Sequence, residues 1–126
     1  MKERINVDSE AGPLGPYSSA IRANGLIFVS GQIPLNPDSG EVVAGSIQDQ
    51  VRQVLDNTRA LLQAAGSSLD KALKCTVYLT DLGDADAMNE VYATYFTGEA
   101  PPARTTIEAA QLPKGVAVEI DVIAEA

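Results

Sequence analysis

Two residues in the second half of the chain could carry polar chemistry. Arg104 follows "PPA" at the head of a strand-like segment, and Glu119 interrupts the apolar run of the closing "VAVEIDVIAEA". Arginine offers a planar fork of donors that never loses its charge and fits a carboxylate in two-pronged fashion, so Arg104 is a candidate clamp for a small acid. Its ordinary alternative is a surface ion pair. A carboxylate can hold a water molecule and shuttle protons when its surroundings tune its pKa, which makes Glu119 the candidate acid and base. A wet strand face is the ordinary alternative there. Strand alternation puts Thr106 on the same face as Arg104, but spacing alone does not join Arg104 and Glu119 into one site.

Other chemistries are poorly supplied. The 126 residues contain no His and one Cys, so reactions must run on carboxylates, Arg, Lys, Tyr, hydroxyls or backbone groups. Cys75 alternates with Leu73 and Val77 and reads as a small buried hydrophobe. Glycine-rich dinucleotide and Walker A patterns are missing, and no metal-ligand set stands out, so neither a cofactor nor a metal is expected. Lys and Arg number 9 against 17 Asp and Glu, a net charge of −8 without a basic cluster, which argues against nucleic acid as a partner. The first residues lack the features of a signal peptide, and no apolar run approaches a membrane span. The expectation is therefore a cytoplasmic protein without membrane attachment, folded as a single domain over residues 1–126.

Positioning the candidate residues requires a sheet and its cover. "ERINV" suits a first strand, and "GPLGP" from Gly12 to Pro16 an irregular loop. "IRANGLIFVSG" reads as two strands around Asn24-Gly25, the pair suited to a tight hairpin in which both central residues need positive φ. "NPDSG" marks another turn. A helix runs from about Ile47 to Ala65, with Ser46 as its N-cap, Asp49 in its first turn and Gly66 in the left-handed position beyond its end. "LKCTVYLT" alternates as a strand with Leu73, Cys75, Val77 and Leu79 inward. A second helix starts near Asp84 and buries Met88, Val91, Tyr92, Tyr95 and Phe96, and "RTTIEAA" and the closing segment add two strands. Two helices cover one face of such a mixed sheet. The second face, assigned Thr76, Tyr78, Thr106, Glu119 and Asp121, is left for water or another subunit.

The motifs resemble the RidA (YjgF) family of enamine/imine deaminases. The likeness rests on "GPYSSAI", "FVSGQIPLNPDSGEV", "QVLDNTRALLQAAGSSLDKALKCTVYLTDL", "NEVYATYF" and "PPARTTIEAAQLPKGVAVEI", which together span nearly the whole chain. It implies an α+β, chorismate-mutase-like fold, a mixed sheet with two helices on one face, assembled as a homotrimer with active sites between subunits. It also implies hydrolysis of 2-aminoacrylate or 2-iminobutanoate-type intermediates to 2-keto acids and ammonium, which would protect pyridoxal-phosphate enzymes. Arg104 then matches the carboxylate clamp and Glu119 the water-activating glutamate. Tyr17, Ser30, Gly31 and Asn89 match residues that border the pocket. Thr105 and Thr106 stand where many relatives carry small residues or a cysteine, so Thr106 is given a lining role only. Two other functions stand beside it: a small-carboxylate binding or regulatory protein that would use the same Arg and pocket, and an RNA-directed translation inhibitor, an activity attributed to family relatives that the negative charge and the missing His disfavour.

Overall fold

The computed structural model describes residues 1–7 and 13–126; Gly12, where the "GPLGP" loop begins, lies outside them. Six strands form one sheet in the order β1-β2-β3-β6-β4-β5: β1 Glu3–Ile5, β2 Ala20–Ala23, β3 Leu26–Gln32, β4 Ala72–Leu79, β5 Ala103–Glu108 and β6 Val118–Glu125. All neighbours are antiparallel except β4 and β5, so the sheet is mixed, and β6, the last strand in sequence, lies inside it. The helices α1, Ile47–Ala64, and α2, Ala85–Tyr95, share one apolar core with the sheet. No helix among the described residues is long and apolar enough to cross a membrane.

Local chemistry sets the boundaries. Asn24 and Gly25 have φ of 54° and 76°, the pair of positive angles that the β2–β3 hairpin needs. Ser46 Oγ accepts a 3.1 Å hydrogen bond from Asp49 N at the start of α1, and Gly66, at φ 80°, turns the chain away beyond its end. Along α1, Val51, Val54, Leu55, Leu61 and Leu62 are buried. Thr58 is buried with them because its hydroxyl donates to Val54 O at 2.8 Å.

Strand β6 shows the pleat most clearly. Val118, Ile120, Val122 and Ala124 are buried against the helices, while Glu119, Asp121 and Ile123 between them point to the other, uncovered face. One expected inward residue is turned out. The β4–β6 pairing slips between Ala72 and Lys74, so Ala72 is buried while Leu73 is 44% exposed. The extra residue reverses the alternation at the head of β4, which a regular two-residue period could not foresee.

Two substitutions measure these forces. Ile120→Ala should cost about 3 kcal/mol through lost burial and the cavity left behind. Ser46→Ala should cost about 1 kcal/mol through the lost cap. Urea unfolding at fixed protein concentration reads both, and equal costs would contradict the account of a core dominated by β6.

Candidate active site

Strand β5 lies at the edge of the sheet, parallel to β4, and its register pairs Arg104 with Cys75 and Thr106 with Val77. Cys75 and Val77 face the helices, so Arg104 and Thr106 do as well. The Arg104 guanidinium carbon stands 4.7 Å from the centre of the Tyr92 ring on α2. Tyr92 in turn packs on Phe96, with ring centroids 4.5 Å apart and planes tilted by 38°. Asn89, half-buried, precedes Tyr92 by three residues and shares its stripe of α2. Among the described residues the ion pairs are Arg22–Glu3, Arg52–Asp49 and Arg59–Asp56, so Arg104 has no acidic partner. Burial pushes the Cys75 thiol up in pKa and also holds the Tyr92 phenol un-ionised, with Cys75 adding to the second effect.

Glu119 belongs to a different group. The β3–β6 pairing is irregular between Val29 and Gln32, and the chain there is tied to the loop before β2. Ser30 N donates to Ser19 O at 2.9 Å, and Ser30 Oγ donates to Ser18 O at 2.6 Å. This brings Gly31 against Glu119. A Cβ at residue 31 would lie 2.8 Å from Glu119 Cδ and closer still to Oε2, so the missing side chain is what admits the carboxylate. The two residues line a cleft of about 340 Å³ with Leu14, Tyr17, Ser30, Ile33 and Pro113. Tyr17 is 47% exposed, and its hydroxyl accepts from Leu14 N at 3.2 Å.

The electrostatics of the cleft favour a proton on Glu119. Partial burial raises its pKa above the ordinary value, and the neighbouring Asp121 raises it further. Asp121 accepts a 3.0 Å hydrogen bond from the Tyr78 hydroxyl, and Tyr78 stands directly opposite Glu119 in the β4–β6 register. That bond also raises the Tyr78 pKa, since it favours the protonated phenol.

Within one chain the structure thus brings Tyr17, Ser30, Gly31 and Glu119 together and leaves Arg104, Thr106 and Asn89 on the other side of the sheet. Thr106 is a correction: the expected place beside Glu119 and Asp121 on the uncovered face is wrong, because its partner Val77 faces the helices. Its Oγ1 is buried without a hydrogen bond, as is the Tyr92 hydroxyl. Sequence reasoning placed Tyr92 in the core, where it is, and missed that its ring also supports Arg104. The available signal was an aromatic residue three positions after Asn89.

The family model described as Endoribonuclease L-PSP matches residues 8–126. A RutC family protein of Pyrococcus horikoshii is 53% identical over 124 residues, covering 98% of both chains. Reactive Intermediate Deaminase A, chloroplastic, of Arabidopsis thaliana is 42% identical over 123 residues, covering 98% of this chain and 65% of that protein. Among solved structures, the conserved Rid family protein YyfA of Yersinia pestis superposes with a TM-score of 0.96 at 45% identity, covering 100% of both chains. Escherichia coli TdcF with bound serine does so at 0.92 and 39%, covering 98% of both.

Two outcomes test the Glu119 cleft. Because the raised pKa means that the folded state holds this proton more tightly, its contribution to stability is full at low pH and is lost as pH rises through the raised midpoint. Glu119→Gln should therefore gain in stability relative to the parent as pH rises from 4 to 8 in urea titrations, and in an Asp121→Asn background the gain should shrink. Gly31→Ala should leave the unfolding midpoint nearly unchanged, because the end of a flexible side chain can give way, yet move the Glu119 carboxylate, as seen in a crystal structure of the variant.

Proposed function

This chain belongs to the Rid (YjgF, RidA) family, and from that premise we propose that it hydrolyses 2-aminoacrylate and 2-iminobutanoate-type enamines and imines to 2-keto acids and ammonium. The observation that carries the reading is the state of Arg104: a guanidinium with no acidic partner among the described residues, held against a ring, with its fork left for a carboxylate. A relative named as a reactive intermediate deaminase and a neighbour with bound serine, a small amino acid, both favour this ligand class.

The chemistry follows from the groups at hand. An enamine tautomerises to an imine whose carbon is already electrophilic, so orientation and a placed water are the main requirements. Arg104 binds the carboxylate. Glu119, as carboxylate, takes a proton from water as its oxygen bonds to the carbon of the protonated imine, which gives a neutral carbinolamine; the same proton returned to nitrogen lets the C–N bond break and ammonia leave. The hydroxyl then gives up its proton, which the ammonia carries away as ammonium, and the C–O unit becomes the ketone. Tyr17, Ser30, Gly31, Asn89 and Thr106 border the substrate in this scheme.

Arg104 and Glu119 lie on opposite faces of one sheet, so a site containing both draws them from two copies of the chain. A homotrimer with intersubunit sites satisfies that requirement. It also supplies a cover for Phe28 and Ile107, which are 42% and 43% exposed on the face opposite the helices.

RNA cleavage is the second reading, and the description of the matched family model favours it. The net charge of −8 weighs against it, because affinity for a phosphate backbone comes from neutralising cations.

Subunit mixing tests the deaminase and its assembly together. Arg104→Ala and Glu119→Gln should each be inactive in an assay coupled to a threonine dehydratase. Assemblies co-expressed from equal amounts of the two should recover activity in about a quarter of the sites, the chance that an intact Arg104 meets an intact Glu119 across an interface. Mixed assemblies with no activity would overturn the two-chain site, and wild-type rates for Glu119→Gln at saturating substrate would remove its role as base.

A further inference from the structure

An arginine on an edge strand has a long side chain with many rotamers, and surface arginines are commonly ordered by acids. Arg104 is ordered differently. Its guanidinium carbon is 4.7 Å from the Tyr92 ring centre, and that ring is itself fixed: Tyr92 is 8% exposed and packs on Phe96 at 4.5 Å. The choice of support has a chemical consequence. A carboxylate would hold the guanidinium by occupying the same N–H donors that a ligand's carboxylate needs. A ring face attracts the cation through its quadrupole and leaves those donors unspent.

We propose that Tyr92 is the positioning residue for Arg104, its ring face fixing the guanidinium so that the free fork is presented to the substrate carboxylate. This rests on the deaminase reading above and adds to it the device that keeps the clamp both ordered and empty. The ring is the proposed support, and the hydroxyl, which lies close enough to the Cys75 thiol and to Arg104 to interact with both, is told apart from it by the Phe variant below. Tyr92 Oη is buried without a hydrogen bond, and its polar neighbours are the Cys75 thiol and Arg104 itself.

The experiment compares Tyr92→Leu, Tyr92→Met and Tyr92→Phe with the parent, measuring imine turnover in the dehydratase-coupled assay and binding of 2-oxobutanoate by calorimetry. Replacing the ring by Leu or Met should raise KM and weaken 2-oxobutanoate binding about fivefold, the size of a typical cation–π contribution, with kcat within about twofold. The conservative Tyr92→Phe should restore both to within about twofold of the parent and match or exceed its melting temperature, since it removes an unsatisfied buried hydroxyl. In an Arg104→Ala background, Tyr92→Leu should have no further effect on binding.

Parental KM and affinity in both Leu and Met variants, or a fivefold loss that persists without Arg104, would overturn the proposal. So would a loss in Tyr92→Phe equal to that in Tyr92→Leu. If the parent binds 2-oxobutanoate with this pattern of variants but turns over no imine, the deaminase reading falls and the positioning role stands.

Discussion

Only strand β4 separates the strands that carry Glu119 and Arg104, yet the pleat sends the two side chains to opposite faces of the sheet. Successive residues alternate sides, and the register across β6, β4 and β5 fixes which side each takes. Tyr78 pairs with Glu119 and so shares the uncovered face; Cys75 pairs with Arg104 and lies beneath the helices. No rotamer of either residue undoes this, because a slip of one position would bury Glu119 and Asp121 and expose Val118, Ile120 and Val122. The core that holds the fold together is therefore also what divides the polar residues into two groups.

The two groups are built on different physical grounds. Around Glu119 the main effect is a tuned proton: a glycine makes room for the carboxylate, partial burial disfavours its charge, and Asp121 adds repulsion from the same strand. Around Arg104 there is no proton to tune, since a guanidinium keeps its charge throughout the range in which proteins are folded. Control there is exercised over direction, through an aromatic ring, and over competition, since Arg104 makes no ion pair among the described residues. In the proposed deaminase, the group that exchanges protons and the group that keeps its charge thus occupy different environments, on the two faces of one sheet.

Most elements were legible because local chemistry announced them. The α1 stripe, its Ser46 cap, Gly66 beyond its end and the Asn24-Gly25 hairpin all follow from residues within a few positions of one another. The errors came where pairing between distant segments decides. Leu73 was turned outward by a slip against β6, and Thr106 was assigned the wrong face because β5 offers no apolar contrast: Ala103, Thr105 and Ile107 alternate with Arg104, Thr106 and Glu108. Arg104 and Glu119 were found as candidates by residue chemistry alone. Tyr17, Ser30, Gly31 and Asn89 carried no periodic signal and were reached through the family resemblance. The close packing of Gly31 and Glu119 joins residues 88 positions apart, beyond any local pattern.

The charge of the chain bears on how such a clamp would work. With 17 acids against 9 basic residues, the protein as a whole repels a small carboxylate at long range, so capture cannot depend on steering by the overall field. Beyond a Debye length of about 8 Å at physiological salt that repulsion is largely screened, and local contacts decide. An arginine with its fork unoccupied then acts as a short-range well set in an acidic surface. Selectivity would come from matching a planar carboxylate to a planar guanidinium at a fixed orientation, a requirement that a bulk anion attracted only by charge does not meet.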